Sequence, residues 1–422
     1  MNENGFQPNK TLEYLFLDLN SYFASVEQHM QPDLRGRPVA VLPSMTDATC
    51  AIAASYEAKA FGIKTGTKIW EAKKMCPDLV CVPARHDVYV EYHHKIFNEV
   101  ERHIHVTKIC SIDEAACLLA KQDRLPEQAR ALALKIKQGI YNNVSPVIKC
   151  SIGLAPNKFL AKLASDMQKP DGLTVLMPHN IKDAVCKLSL RDLTGINTNM
   201  ERRLNYAGIY TVGDFWNIAP KHARRIWGGV GGERFWYKLH GYDIPDTKTS
   251  KSVIGHSRML DPKLRMPEQA AQVTRYLTNK ASARLRRYEM YTGRLSLGVR
   301  TPDRRKWWGD RTFCATQDSF KLLETLSFLW DRMMGELQPG LLLKVSISLS
   351  DLKEAATITP DLFEDYTPKA RVNRNLSDAM DKMNKKHGAN TVTVGMAPKT
   401  NAGFVGTKIA FNRIPEVEEF SE

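Results

Sequence analysis

Between residues 14 and 177, short apolar runs alternate with stretches of helical period. The runs YLFLDL (14–19), VAVL (39–42), LVCVP (79–83), ICSIDEAACLL (109–119), VIKCSIGLA (147–155) and LTVLM (173–177) read as strands. Helical patterns fall between them at 20–30, 86–103, 126–142 and 156–167. That order predicts a sheet domain with helices packed on it. PDLRGRP and CPDL bracket residues 31–78, which carry two short helix-like pieces and look like a small lobe inserted into that domain. Residues 178–245 turn to short helices divided by glycines. After the polar, basic TKTSKSVIG (247–255), GRLSLGVR and LLLKVSISLS frame a helical stretch that ends near residue 350. The last 70 residues hold DLFEDY, a helix LSDAMDKMNKKHG and a Gly/Asn-rich end, and part of this tail is expected to be poorly ordered.

At 422 residues the chain is too long for one core, so two to four domains are expected. Sixty Lys and Arg against 46 Asp and Glu give a net charge of +14, which favours polyanionic partners. The excess is concentrated: residues 251–350 hold 18 basic against 9 acidic side chains. Nucleic acid suits this better than a membrane, because the N-terminus is polar and no apolar run approaches ~18–20 residues. Eight scattered cysteines without a C-x-x-C pair read as reduced thiols, so a soluble, cytoplasmic protein is expected.

Asp18 ends an otherwise apolar strand, and Asp113 with Glu114 interrupts another. A bare acid there is costly unless it is paired or metal-bound. Any one of them taken alone suits a strand-end turn or a salt bridge better than a metal site. Three on the apolar strands of one domain suit phosphoryl transfer to a sugar hydroxyl, in which carboxylates bring two divalent cations to roughly 4 Å from each other.

Four blocks, FLDLNSYFASVEQ (16–28), SYEAKAFGIKTG (55–66), CSIDEAACL (110–118) and SIGLAPNKFLAKLASDMQKPDG (151–172), resemble in order and spacing the signature blocks of the Y-family DNA polymerases, the DNA polymerase IV and UmuC subgroups above all. The resemblance covers roughly residues 14–350. It implies an α+β multidomain right-hand polymerase with a ferredoxin-like palm (14–28 and 79–177), small fingers (29–78), a helical helix-hairpin-helix thumb (178–245), an α/β little finger (246–350) and a tail (351–422). It also implies low-fidelity translesion synthesis in damage tolerance by a monomer, using primer-template DNA and deoxynucleoside triphosphates.

On the same resemblance Asp18, Asp113 and Glu114 hold two magnesium ions, helped by the Leu19 carbonyl. Phe23 matches the steric gate that excludes a ribose 2′-hydroxyl. Tyr56 and Lys59, one helical turn apart, face the triphosphate with Lys169. Many relatives have Arg where Lys59 stands, so a point charge replaces a fork. Ala53, Ala54 and Ser55 occupy the segment that roofs the nascent base pair. LTGINTNMERRLNYAGI resembles a helix-hairpin-helix that presents amides to a phosphate, with Gly195 in the hairpin and Asn197 where the family usually has Gly. Gly228 to Gly232 read as a turn between helices. Arg284, Arg286, Arg287, Arg294, Arg300, Arg304, Arg305 and Lys306 suit a duplex backbone, while Trp307 and Trp308 fit a base stack or a core equally well. Asp361, Leu362 and Phe363 partly match a sliding-clamp peptide. His103, His105, Cys110 and Cys117 lack zinc spacing and are assigned to packing. Two other readings are a catalytically silent accessory protein of the same fold and a palm-type nucleotide cyclase. The carboxylates argue against the first, the basic domain and the hairpin motif against the second.

Overall fold

YLFLDL forms β1 (Tyr14–Leu19), buried from its second residue on. The computed structural model describes residues 7–246, 250–358 and 368–388, with 391, 392, 394 and 414. These divide into two units, one running to Asp246 and including residue 414, the other beginning at residue 250.

In the first unit β1 is followed by α1 (Tyr22–Met30), β2 (Val39–Leu42), β3 (Ala53–Ala54), α2 (Tyr56–Ala60), α3 (Ile69–Met75), β4 (Val80–Pro83), α4 (His86–Glu101), β5 (Lys108–Ile109), β6 (Glu114–Leu118), α5 (Pro126–Asn143), β7 (Cys150–Ala155), α6 (Lys158–Met167) and β8 (Leu173–Val175). Five strands make a sheet in the order β5-β6-β1-β7-β8, with β1 at the centre and antiparallel to both neighbours. The two-residue period of a strand sorts its side chains. Leu15, Leu17 and Leu19 enter a core with α1, α4 and α5, whereas Phe16 packs with α6. Asp18 shares the Phe16 face. Gly153, opposite Phe16 on β7, lets α6 lie directly on the sheet: a Cβ there would stand 2.0 Å from the Ala161 carbonyl oxygen.

The run at 79–83, grouped in sequence with the strands of this sheet, pairs elsewhere. β2 and β4 are parallel, in a separate sheet of order β3-β2-β4. VAVL is uniformly apolar and buried throughout, as suits the central strand of a covered sheet.

Five helices complete the unit: α7 (Ile181–Val185), α8 (Thr198–Tyr206), α9 (Val212–Asn217), α10 (Pro220–Trp227) and α11 (Val230–Leu239). Leu204, Val212 and Phe215 share a core with Leu160 and Leu163 of α6. The glycine cluster is more than a turn. Gly232 presses α11 onto α10, where a Cβ would stand 2.3 Å from the Ala223 carbonyl oxygen.

The second unit runs β9 (Ile254–Met259), α12 (Pro267–Arg287), β10 (Met290–Arg300), β11 (Lys306–Thr316), α13 (Ser319–Leu337), β12 (Lys344–Glu354) and α14 (Pro368–His387). Its antiparallel sheet has the order β11-β10-β12-β9, and α12 and α13 bury Leu277, Leu285, Leu322 and Leu326 against Leu295, Leu297 and Ile347. Sequence marked the two inner strands and missed both edges. Trp307 is buried, its N–H donating to Glu336 at 2.7 Å, while Trp308 is exposed, so the two tryptophans divide between core and surface. Asp361, Leu362 and Phe363 lie outside the described residues. All eight cysteines are free, and among the described residues no helix is long and apolar enough to cross a membrane.

Candidate active site

The site is assembled at one end of β1. Register sets Asp18 opposite Glu114, the first residue of β6. The apolar run at 109–119 is broken here: Cys110 and Ser111 both donate their N–H to the Glu114 carbonyl, which makes residues 111–113 a tight turn. Asp113 therefore lies in a hairpin turn rather than within a strand. The Leu19 N–H donates to the Asp113 carbonyl at 2.8 Å, tying that turn to the end of β1, and the Ser111 hydroxyl donates to the Asp113 carboxylate. From below, His93 of α4 contacts the Ile112 carbonyl at 2.7 Å. Burial pushes the His93 pKa down to about 4, so the ring is neutral at pH 7.

Two ammonium groups meet these acids. Lys162 of α6 reaches Asp18 at 2.5 Å, Glu114 at 2.7 Å and Asp166 at 3.1 Å. Lys169 reaches the other Asp18 oxygen at 2.7 Å and Asp166 at 2.8 Å. Asp18 is only 5% exposed. Burial pushes its carboxyl up, but the charges of Lys162 and Lys169 outweigh that and hold it below its ordinary value. Asp113 and Glu114 go the other way. Burial raises both, the Asp18 charge adds to it, and the Ser111 hydrogen bond and the Lys162 charge only partly oppose it. The arrangement is a set of oxygen donors with too little positive charge beside it, which fits a hard divalent cation. Among the described residues no three acidic, His or Cys side chains converge as a cation cage, and Lys162 and Lys169 hold the carboxylates of Asp18 and Glu114.

The residues expected at the triphosphate gather near these lysines. Lys59 lies over the Tyr56 ring at 4.3 Å, and its pKa is lowered by burial and by the Lys169 charge. Tyr56 is raised by burial, with Asp18 adding to the effect. Lys169 is held by a braced turn. Lys137 donates to the carbonyls of Asp171 (2.5 Å), Cys150 (3.1 Å) and Gly172 (3.2 Å), and the Asp171 N–H donates to Asn20 at 2.7 Å. Phe23 stacks on Tyr89, ring centres 4.2 Å apart. Ala54 and Ser55 do not present an open roof: each is 1% exposed, and the Ser55 hydroxyl caps α2 and accepts from the Val39 N–H. Their smallness serves packing between β2 and α2.

Lys162, Asp166, Lys137 and Asn20 were missed in sequence. The one signal for Lys162 is its place among Leu160, Ala161, Leu163 and Ala164, all buried. In the helical region Gly195 takes a φ of +104°, and Asn197 caps α8 by accepting from the Met200 N–H at 2.9 Å. The side chain that replaces the family's glycine thus occupies an amide otherwise open to a phosphate.

The basic set of the second unit separates. Arg304 is exposed, and Arg305, also exposed, pairs with Asp303 at 2.8 Å and donates to the Leu337 carbonyl. Arg284 and Arg287 lie in the last turn of α12, and Arg294 pairs with Asp310 and Asp351. Arg286 does not belong with them. Its side chain is 10% exposed, donates twice to Asp381 of α14 and bonds Ser282, Ser319 and the Gln317 carbonyl. It is a tie between helices, with most of its donors already committed inside the protein. Arg286→Ala is expected to cost about 2–3 kcal/mol, since it strands Asp381 and two hydroxyls. Thermal melting reads the loss; a variant that melts like the native chain but binds DNA less tightly would return Arg286 to the DNA-binding set.

Comparison with known proteins follows the same lines. Residues 17–166 match the family model of the impB/mucB/samB family, and residues 251–362 match that of the impB/mucB/samB family C-terminal domain. The protein named DNA polymerase IV 1 in Bacillus subtilis (strain 168) is 30% identical over 410 residues, 93% of this chain and 94% of its own length. Among solved structures, the Y-family DNA polymerase chimera Dbh-Dpo4-Dbh is similar with a TM-score of 0.68 at 24% identity, over 81% of this chain and 99% of that one. The insertion ternary complex of Dbh DNA polymerase gives a TM-score of 0.54 at 25% identity, over the same shares.

Proposed function

We infer, for a chain that belongs to the impB/mucB/samB family of Y-family DNA polymerases, that Asp18, Asp113 and Glu114 are the carboxylates that carry its synthesis. The protein is a DNA-directed DNA polymerase of the translesion class. Membership implies dependence on a divalent metal, and the finer reading is two magnesium ions held by Asp18, Asp113 and Glu114 with the Leu19 carbonyl. The observation that supports it is the placement of Asp18 and Glu114 side by side in register, with Asp113 tied by its backbone to Leu19. When bound, the ions would acidify the primer 3′-hydroxyl and carry the triphosphate.

The protein's own groups do the rest. Lys59, Tyr56 and Lys169 bind the triphosphate, and Lys169, which pairs with Asp18, would turn to the triphosphate if that carboxylate held a cation. Lys162 stays on Asp166, one turn along the same helix, and the close packing of α6 on Gly153 keeps it over the site. Phe23 stands where a 2′-hydroxyl would be and selects deoxynucleotides. The β5-β6-β1-β7-β8 sheet serves as palm, the β3-β2-β4 sheet with α2 and α3 as fingers, α7 to α11 as thumb and the second unit as little finger. Primer-template DNA and deoxynucleoside triphosphates are the substrates. Gly195 of the thumb and Arg284, Arg287, Arg304 and Arg305 of the little finger follow the duplex backbone. A monomer working in the cytoplasm, with Asp361, Leu362 and Phe363 docking on a sliding clamp, completes the reading.

Primer extension on an abasic-site template, with magnesium and four deoxynucleotides, tests it. Insertion opposite and beyond the lesion is expected. Salt-dependent binding of primer-template without any extension, on damaged or intact template, would turn the reading toward the silent accessory protein.

A further inference from the structure

We propose that the buried Glu27–Arg85 ion pair, acting through Tyr89, fixes the position of the Phe23 ring and thereby sets how strictly the enzyme discriminates between sugars. Glu27 is 0% exposed, on an apolar helix, and such a carboxylate persists only when fully partnered. Its partners are Arg85, just before α4, which donates twice at 3.1 and 2.5 Å, the Tyr89 hydroxyl at 2.7 Å, and the Gln31 amide at 3.1 Å. This pair therefore joins α1 to α4 in one geometry.

Phe23 stands four residues before Glu27, one turn toward the active site on the same face of α1. Tyr89 spans that turn. Its hydroxyl is held at Glu27, its backbone carbonyl accepts from the Tyr22 hydroxyl at 2.6 Å, and its ring lies under Phe23 at 4.2 Å and 12°. Tyr22 at 5.7 Å and His86 at 6.0 Å meet Phe23 at steeper angles. Tyr89 is itself fully buried, so the backing ring cannot swing away. Phe23 cannot move toward α4 unless Tyr89 yields, and Tyr89 cannot yield without breaking its bond to Glu27. A steric gate works by excluding one oxygen atom, so a displacement well under the width of that atom alters its selectivity. Glu27, Arg85 and Tyr89 are positioning residues, and none is required to touch the nucleotide.

The inference rests on Phe23 being the sugar gate, so that reading is tested in the same experiment. For the full chain, kcat/KM is measured for matched deoxy- and ribonucleotides, and their ratio is compared across variants, with thermal melting as the folding control. Phe23→Ala is measured first; a ratio unchanged from native would overturn the gate reading and this inference with it. Given a collapsed ratio in Phe23→Ala, Glu27→Gln and Tyr89→Leu are each expected to lower the ratio by about tenfold. A merely structural role would lower both kcat/KM values together. If Glu27→Gln, which keeps the shape of the side chain, slows both substrates equally and leaves the ratio native, the proposal is wrong.

Discussion

Asp113→Asn combined with Glu114→Gln is expected to stop primer extension while leaving the melting temperature unchanged or higher. The loss should reach at least about 10³-fold, roughly 4 kcal/mol of barrier, because the amides cannot hold the cations that stabilise the transition state. Stability moves the other way for an electrostatic reason. Both carboxyls have folded pKa values raised by burial. An acid of that kind is stabilised by folding only in its protonated form. Its contribution is therefore best at low pH, declines as pH rises from the unfolded pKa through the folded one, and is a full penalty above both. Neutral amides of the same shape remove the penalty, and Lys162 keeps Asp18 and Asp166 as partners. Single-turnover extension and a melting curve on the same preparation check both halves. Retained extension would sink the carboxylate assignment, and a large fall in melting temperature would show these acids to be structural ion-pair partners instead.

Gly153→Ala is expected to lose stability as well as activity, giving a protein that melts early and extends poorly although no reacting group has changed. The added methyl would stand 2.0 Å from the Ala161 carbonyl oxygen and 2.4 Å from the Ser165 nitrogen. Both obstacles are backbone, so no rotamer change relieves them and α6 must move off β7. A cost of about 3 kcal/mol follows, which in a unit of this size lowers the melting temperature by roughly 6–12 °C. Activity falls because α6 carries Lys162. Gly335 is the control: it sits in α13 with nothing within 4 Å of a built Cβ, and Ala there should gain ~0.5–1 kcal/mol. A Gly153→Ala chain that melts within a degree of native would mean that the close approach of α6 to the sheet is not required.

The contrast shows which parts of the molecule could be read from sequence. Acids interrupting apolar strands are conspicuous, and Asp18, Asp113 and Glu114 were found in that way. Lys162 was not, because a lysine on an amphipathic helix normally faces water, and only the register of β6 and β7 against β1 brings α6 over Asp18. Arg286 was misread for a related reason. Its partner, Asp381, lies 95 residues away, beyond any local pattern. The strands β9 and β11 escaped because both are edges of their sheet, and edge strands carry the polar and charged residues that keep strands from pairing between molecules. The run at 109–119 looked continuous because a two-strand hairpin with an apolar turn residue, Ile112, keeps the hydrophobic count high across the break.

The central place of β1 bears on how the chain is made. Residues 14–19 are made well before their partners, Glu114–Leu118 on one side and Cys150–Ala155 on the other. At about 5–20 residues per second, β1 waits many seconds with both edges unpaired. When the sheet does close, the same event buries Leu15 and Leu17 and sets Asp18 beside Glu114. Synthesis therefore yields no early intermediate that holds a finished catalytic centre, and a chain started downstream of Leu19 loses the spine of the sheet along with its first carboxylate.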